Sequence, residues 1–330
     1  MDLHRYSDTR SRIEYTVDVP QLSPPSSFCA FGHTPAHAET PGEALVVLPA
    51  QESSSLSVDG RHVHYEVRGD PESPAVVLVH GARAHRGWWH AVLAAGLADS
   101  LRVVTFDLAG HGLSEPHDDY SPAGWARQVA EVIRQVAGGR CVVVGHSMGG
   151  LVAYASAALH QDRVSRVVTF DSKVRIPTPH GGAKVRGIPG KPLRPYATRD
   201  DILDAFRLLP PQPWINPAAV RHVAELGIVE RNGAWRWRFD PAIAQRFCDD
   251  EVARHLRDLA CPVDFFYGAE STLVSHETVR DADVMVGGLS ISAAIPGGHH
   301  HLVLDQPELV RDAIIGAVER DRASQRRAGA

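Results

Sequence analysis

Long apolar runs are missing from this 330-residue chain. No stretch approaches the roughly 20 consecutive apolar residues that cross a bilayer, so no membrane span is expected. The opening residues, MDLHRYSDTRSRIEYTVDVP, lack the unbroken apolar core of a secretory signal, and a cytoplasmic location is expected. Cysteine is scarce. Cys29, Cys141, Cys248 and Cys261 lie far apart and form no metal-type pair, which reads as buried, reduced thiols. Positive charge is in deficit: 34 Lys and Arg face 39 Asp and Glu, for a net charge of −5. That balance gives no electrostatic footing for a nucleic-acid partner. A hydrophobic content of 44% and a charged content of 22% are those of a globular protein, long enough to bury one large core or two small ones. Composition does not fix an oligomeric state.

Residues 1–50 are rich in Pro, Ser, His and Thr, as in QLSPPSSF and HTPAHAETPGE, and read as a poorly ordered extension in which RIEYTVDV is a stray strand. From Leu56 the texture changes. RHVHYEVRG alternates as a strand, PAVVLVHG and LRVVTFDLAG are fully apolar strands, and GWWHAVLAAGLA between them is helical. SPAGWARQVAEVIRQVAGG is a helix with Ser121 as N-cap, Pro122 in its first turn and glycines at its end. CVVV, a helix over Leu151–Leu159, and VSRVVTFDS follow. Strand–helix alternation of this kind gives a mostly parallel sheet covered by helices on both faces.

After Ser172 the rhythm stops for some seventy residues. DDILDAFRLL is a helix broken by PPQPW, Asn216-Pro217 opens a second helix through Leu226, and IVERNGAWRWRF is a hairpin turning on Asn232-Gly233. Sheet order resumes with PVDFFYG and SISAAIP, and PELVRDAIIGAVERDR closes as a helix. The expected division is therefore a core of 51–172 and 246–330 with an insertion at 173–245. An insertion near the C-terminal strand ends lies over the cleft where open α/β sheets bind ligands, as a lid.

Chemistry concentrates at Gly145-His146-Ser147-Met148-Gly149, between the strand CVVV and the helix that follows. A turn this tight leaves no room for side chains two residues either side of Ser147, and glycine also tolerates the dihedrals such a turn demands. Ser147 is thereby held out where a substrate can reach it. Three further stretches join it: VHGARAHRGWW, FDLAGHGLSE and PGGHHHLVLDQPELV.

In this order, these motifs resemble the α/β-hydrolase family over roughly residues 56–172 and 246–320. The resemblance implies an eight-stranded, mostly parallel sheet with the lid after its sixth strand, and Ser147 as nucleophile. An alcohol needs an adjacent base, and the family spacing of seven residues before the proline of the last helix, Pro307, selects His300. His299 and His301 then turn into polar packing. A metal on the three histidines is disfavoured, because adjacent side chains diverge and no partner cluster has ligand spacing. The family's acid follows the penultimate core strand, where this chain has Ser271; Glu270, one residue early, is the first choice, and Asp171, after the preceding strand, is the alternative. The oxyanion-hole donors implied are the backbone N–H groups of Ala82 and Met148. Asp107, Gly110, His111, Gly112 and Ser114 shape the loop beside the cleft. Trp88, Trp89 and Trp235 are candidate substrate contacts. No cofactor and no metal is expected.

A serine at the elbow, where dehalogenases and most epoxide hydrolases of this fold use aspartate, implies an acyl-enzyme. The expected activity is a serine hydrolase, carboxylesterase- or thioesterase-like, acting on a small-molecule ester, lactone or thioester. A carbon–carbon hydrolase or lyase on the same triad, and a ligand-binding protein without turnover, are the alternatives. Lys173, Lys184 and Lys191, the three lysines of the chain, fall with Arg175, Arg186, Arg194 and Arg199 in a stretch without acidic residues. That stretch is either a solvated loop or an attractor for an anionic substrate.

Overall fold

The computed structural model describes residues 45, 47, 49–174, 185–186, 194–213, 216–243 and 247–328. The expected N-terminal extension with its stray strand, and the basic positions Arg175, Lys184 and Lys191, lie outside or almost wholly outside these residues.

Eight strands form one sheet: β1 Glu52–Val58, β2 Arg61–Arg68, β3 Ala75–Val79, β4 Arg102–Phe106, β5 Cys141–His146, β6 Val164–Phe170, β7 Val263–Gly268 and β8 Ile291–Ile295. Their spatial order is β1-β2-β4-β3-β5-β6-β7-β8. The β1–β2 and β2–β4 pairs are antiparallel, and every later pair is parallel. Apart from Ala75 and Arg102 at their starts, β3 to β6 are buried at every position because both of their faces are covered. Val77, Val79 and Val143 pack on one side beneath Trp125, Val129, Val152 and Tyr154 of helices Pro122–Val132 and Met148–Leu159. Val76, Leu78 and Val144 pack on the other beneath Trp89, Val92, Ile314 and Val318, carried by the segment Arg86–Ala94 and helix Pro307–Ala328.

Local chemistry sets the element ends. The Ser121 hydroxyl accepts the Gly124 N–H at the start of Pro122–Val132, and the chain leaves the following turn through Gly138 in the left-handed region. Between β6 and β7 lie helix Arg199–Asp204, helix Pro217–Leu226 capped by the Asn216 side chain, and the hairpin Ile228–Arg231/Ala234–Trp237. The hairpin turns on Asn232 and Gly233, both at positive φ, the geometry that a two-residue loop matched to strand twist requires.

This topology decides where chemistry can occur. His80, Asp107, Ser147, Asp171 and His300 all follow the C-terminal ends of parallel strands. They therefore share one edge of the sheet, where open α/β sheets place their ligand crevice.

Candidate active site

Ser147 stands between β5 and the twelve-residue helix Met148–Leu159 with φ 55° and ψ −120°. A non-glycine residue in that region costs about 1–3 kcal/mol and persists only where its surroundings enforce it. Here the Ser147 N–H donates to the Phe170 carbonyl at 2.9 Å, and its own carbonyl accepts the Gly150 N–H at 3.0 Å. The glycines answer to contact distances. A Cβ on Gly145 would lie 2.2 Å from the Gly149 carbonyl oxygen, and one on Gly149 would lie 2.3 Å from that of Val79. Both obstacles are backbone, so neither can move aside. Ser147 itself is half-buried and lines a cavity of about 330 Å³.

His300 lines the same cavity. Its Nδ1 lies 2.6 Å from Asp171 Oδ2, so Nδ1–H donates to the carboxylate and Nε2 keeps the lone pair. Asp171 is fully buried. Its Oδ1 accepts the Gly268 N–H at 3.1 Å and its Oδ2 accepts the Ser271 hydroxyl at 2.8 Å. The Ser271 oxygen in turn accepts the N–H groups of Leu273 and Val274. Ser271, at the position expected to carry the acid, thus supports an acid supplied by the neighbouring strand.

The first-choice pairing of Glu270 with His300 is corrected by this geometry. Glu270 is exposed, and its backbone N–H is held by the Gly298 carbonyl at 2.9 Å. The extra methylene of glutamate does not compensate for a side chain that stays at the surface. Asp171, the alternative, is the carboxylate that meets the imidazole.

Of the three consecutive histidines only His299 turns away from the cavity, with Nδ1 at 3.5 Å from Asp305 Oδ2. The expected turn of His301 into polar packing is corrected, since His300 and His301 line the same cavity with ring centroids 4.9 Å apart. Burial pushes the Asp305 carboxyl up to about 6. His301 lines the cavity against Trp88, its Nε2–H donating to the Pro210 carbonyl at 3.1 Å. His146, buried in the elbow, donates from Nε2 to the His300 carbonyl at 2.8 Å and so pins the backbone that carries His300. Burial foremost, and then the neighbouring His300 and His301, hold His146 well below the ordinary histidine range. One ring nitrogen from each of His146, His300 and His301 lies within 4.8 Å of the others. The consecutive run supplies two of these rings, and the elbow, distant in sequence, supplies His146. Imidazoles so grouped suit a transition metal, and an ion there would engage His300.

The loop after β3 forms the facing wall. Ala82 lines the cavity, while Met148 opens the helix after Ser147. Asp107 holds the loop in place: its carboxylate accepts the backbone N–H groups of Arg86 and Leu113 and the Arg86 guanidinium. Burial alone would raise its pKa, but the charge of Arg86, followed by His85 and His80, brings it below the usual carboxylate range. Arg86 also meets Glu66 at 2.8 Å. This buried ion network ties the loop to β2 and β4. A Cβ on Gly112 would lie 2.2 Å from the Asp107 carboxylate, and the Ser114 hydroxyl donates to the Asp107 carbonyl at 2.5 Å. FDLAGHGLSE is a scaffold for that network, as expected.

Among the tryptophans, Trp88 lines the cavity, whereas Trp89 is fully buried against Phe170. Trp235 is tied by its backbone to Tyr196; its hairpin neighbours Trp237 and Phe239 line the cavity instead. Arg83 was missed too, although it sits inside VHGARAH; it lines the cavity directly after Ala82.

Residues 76–313 match the model of the alpha/beta hydrolase family. This chain belongs to that family. It is 27% identical over 249 residues to an sn-1-specific diacylglycerol lipase, ABHD11, of Xenopus laevis, spanning 70% of this chain and 75% of the relative. It is 28% identical over 272 residues to the 2-(acetamidomethylene)succinate hydrolase of Mesorhizobium japonicum, spanning 80% and 95%. Among solved structures it is similar to the thioesterase domain from the curacin biosynthetic pathway, with a TM-score of 0.66 and 21% identity over 80% of this chain and 99% of that one.

Proposed function

We propose that this protein is a serine hydrolase that cleaves a carboxylic ester, lactone or thioester through an acyl-enzyme on Ser147. The observation that carries the reading is the shared cavity: a serine held at a strained elbow faces the same space as a histidine whose Nδ1 is already claimed by a buried carboxylate. His300 Nε2 takes the Ser147 proton as Oγ attacks the substrate carbonyl, and Asp171 orients the ring and stabilises the imidazolium. The oxyanion gathers hydrogen bonds from the Met148 and Ala82 N–H groups, at the positive end of the Met148–Leu159 helix dipole. His300 then protonates the leaving group, and water attacks the acyl-enzyme by the same route. The segment between β6 and β7 supplies Ala205, Phe206, Val223, Trp237 and Phe239 to the cavity and acts as its lid.

The names of the relatives, a lipase, a hydrolase and a thioesterase among them, support acyl transfer to water. A binding protein without turnover would be favoured by a carboxylate out of reach of the imidazole, and the 2.6 Å contact of Asp171 with His300 supports turnover instead. The test is a panel of neutral p-nitrophenyl esters, lactones and acyl thioesters of graded length, with Ser147→Ala as the blank. Multiple turnover on at least one class, absent from the blank, is expected. Equal rates from the wild type and the blank would remove the proposal.

A further inference from the structure

The cavity wall carries an excess of charge that the hydrolytic machinery does not use. Arg83, Arg207 and Arg238 line it, and among the described residues no aspartate or glutamate does. The remaining lining is largely apolar, with Trp88, Leu209 and Phe239 among it. Arg207 is exposed, whereas Arg83 and Arg238 are half-buried, where a guanidinium is costly unless a partner compensates it. Arg207 spends Nη1 on the carbonyls of Asp204 and Phe206, both at 2.6 Å. Arg238 spends Nε and Nη2 on the Ile228 carbonyl, at 3.1 and 2.9 Å. Carbonyls position these groups without neutralising them. Burial, and next the like charge of Arg86, lowers the Arg238 pKa.

Arg83 differs from both. Its guanidinium lies over the Phe239 ring, 5.5 Å from the centroid, and has no carboxylate partner among the described residues. Its backbone is held at φ 55°, a region a long side chain enters only under compulsion. The compulsion is visible: the Arg83 N–H donates to His111 Nε2 at 3.2 Å, and His111 bridges to Phe239. The loop thus expends strain to present a cation to the cavity, directly after Ala82. Gly81, two residues earlier, closes on the nucleophile, since a Cβ there would sit 3.3 Å from Ser147 Cβ.

We propose that Arg83, with Arg238 behind it, forms a subsite for a carboxylate carried by the substrate, so that the preferred ester or thioester bears a second, anionic group. The proposal rests on the serine-hydrolase reading and narrows its substrate class. It also moves the source of positive charge from the basic run before Arg199 to the wall beside the nucleophile. A charge-assisted hydrogen bond inside a partly desolvated cavity accounts for a preference of about tenfold or more.

The test compares kcat/KM for the mono-p-nitrophenyl ester of glutaric acid and for p-nitrophenyl pentanoate, in wild type, Arg83→Met, Arg83→Lys and Arg236→Gln. Arg236 is exposed on the hairpin and absent from the cavity wall. The wild type is expected to favour the carboxylate ester, and Arg83→Met to lower that ratio at least about tenfold. Arg83→Lys should restore part of it, and Arg236→Gln should leave it as in the wild type. Added salt should depress the charged substrate alone. A wild type without preference, or an Arg83→Met ratio equal to that of the wild type, overturns the subsite while turnover of the neutral ester leaves the hydrolase reading standing. Failure of both esters alongside failure of the neutral panel overturns the hydrolase reading, and the subsite with it.

Discussion

Asp171 and Glu270 differ in what surrounds their carboxyl groups. Asp171 is fully buried and accepts from His300, Ser271 and the Gly268 backbone, whereas Glu270 is exposed. Under the proposed mechanism, Asp171→Asn removes the acceptor that fixes the His300 tautomer and lowers kcat by about 10⁴-fold. Glu270→Gln should change it less than about twofold. Steady-state kinetics on any substrate from the ester panel reads both; the reverse order would return the acid to Glu270. The choice was hidden in the sequence because a carboxylate just after a strand carries no local mark of a partner far along the chain. The distance to an imidazole 129 positions away depends on how β6, β7 and β8 pair. His300 was singled out only through the resemblance, by the family's interval before the proline that opens the last helix. The roles of His146, His301 and Arg83 were not, since each follows from which loops converge above the sheet.

The elements carry their own expectations. The elbow tolerates no side chain at Gly145 or Gly149, because the nearest atoms are carbonyls of neighbouring backbone. Gly145→Ala should therefore cost about 3 kcal/mol or more, at or beyond the upper end of ordinary overpacking. Urea unfolding measures this, and a loss under about 1 kcal/mol would mean that the elbow is looser than described. The loop after β3 depends on Arg86. Removing it by Arg86→Leu leaves Asp107, fully buried, without its counter-charge, at a cost of about 3–5 kcal/mol. Calorimetry should show the loss even in a Ser147→Ala background, where catalysis plays no part. Element by element, the sequence was most readable where local signals govern. The caps at Ser121 and Asn216 and the Asn232-Gly233 turn fall where their side chains or dihedrals require. It was least readable at β1, whose ESSSLSV buries only Leu56 and Val58 and owes its existence to pairing with β2.

At the scale of the whole molecule, buried neutral histidines link folding to pH. Burial holds His80 and His85 at about 4 and His111 and His301 at about 3. Each folded value lies below the unfolded value of about 6.5, so the unfolded chain binds more protons below that pH. Stability from these groups is complete above pH 6.5 and is lost as pH falls toward 4. The loss is at most about 1.4 kcal/mol per pH unit for each histidine. The Tm should stay level from pH 7 to 8 and drop steeply from 6.5 to 4; a level Tm across the acid range would contradict the buried, neutral state of these rings. Among the described residues no helix is long and apolar enough to cross a membrane. The central claim, that one serine at a strand-to-helix elbow becomes acylated with a histidine from the far end of the chain as its base, is tested by a fluorophosphonate probe with mass-spectrometric mapping of the adduct. The account predicts a single adduct on the peptide containing Ser147, lost in Ser147→Ala and in His300→Ala. An adduct on another residue, or one that persists in either variant, would contradict it.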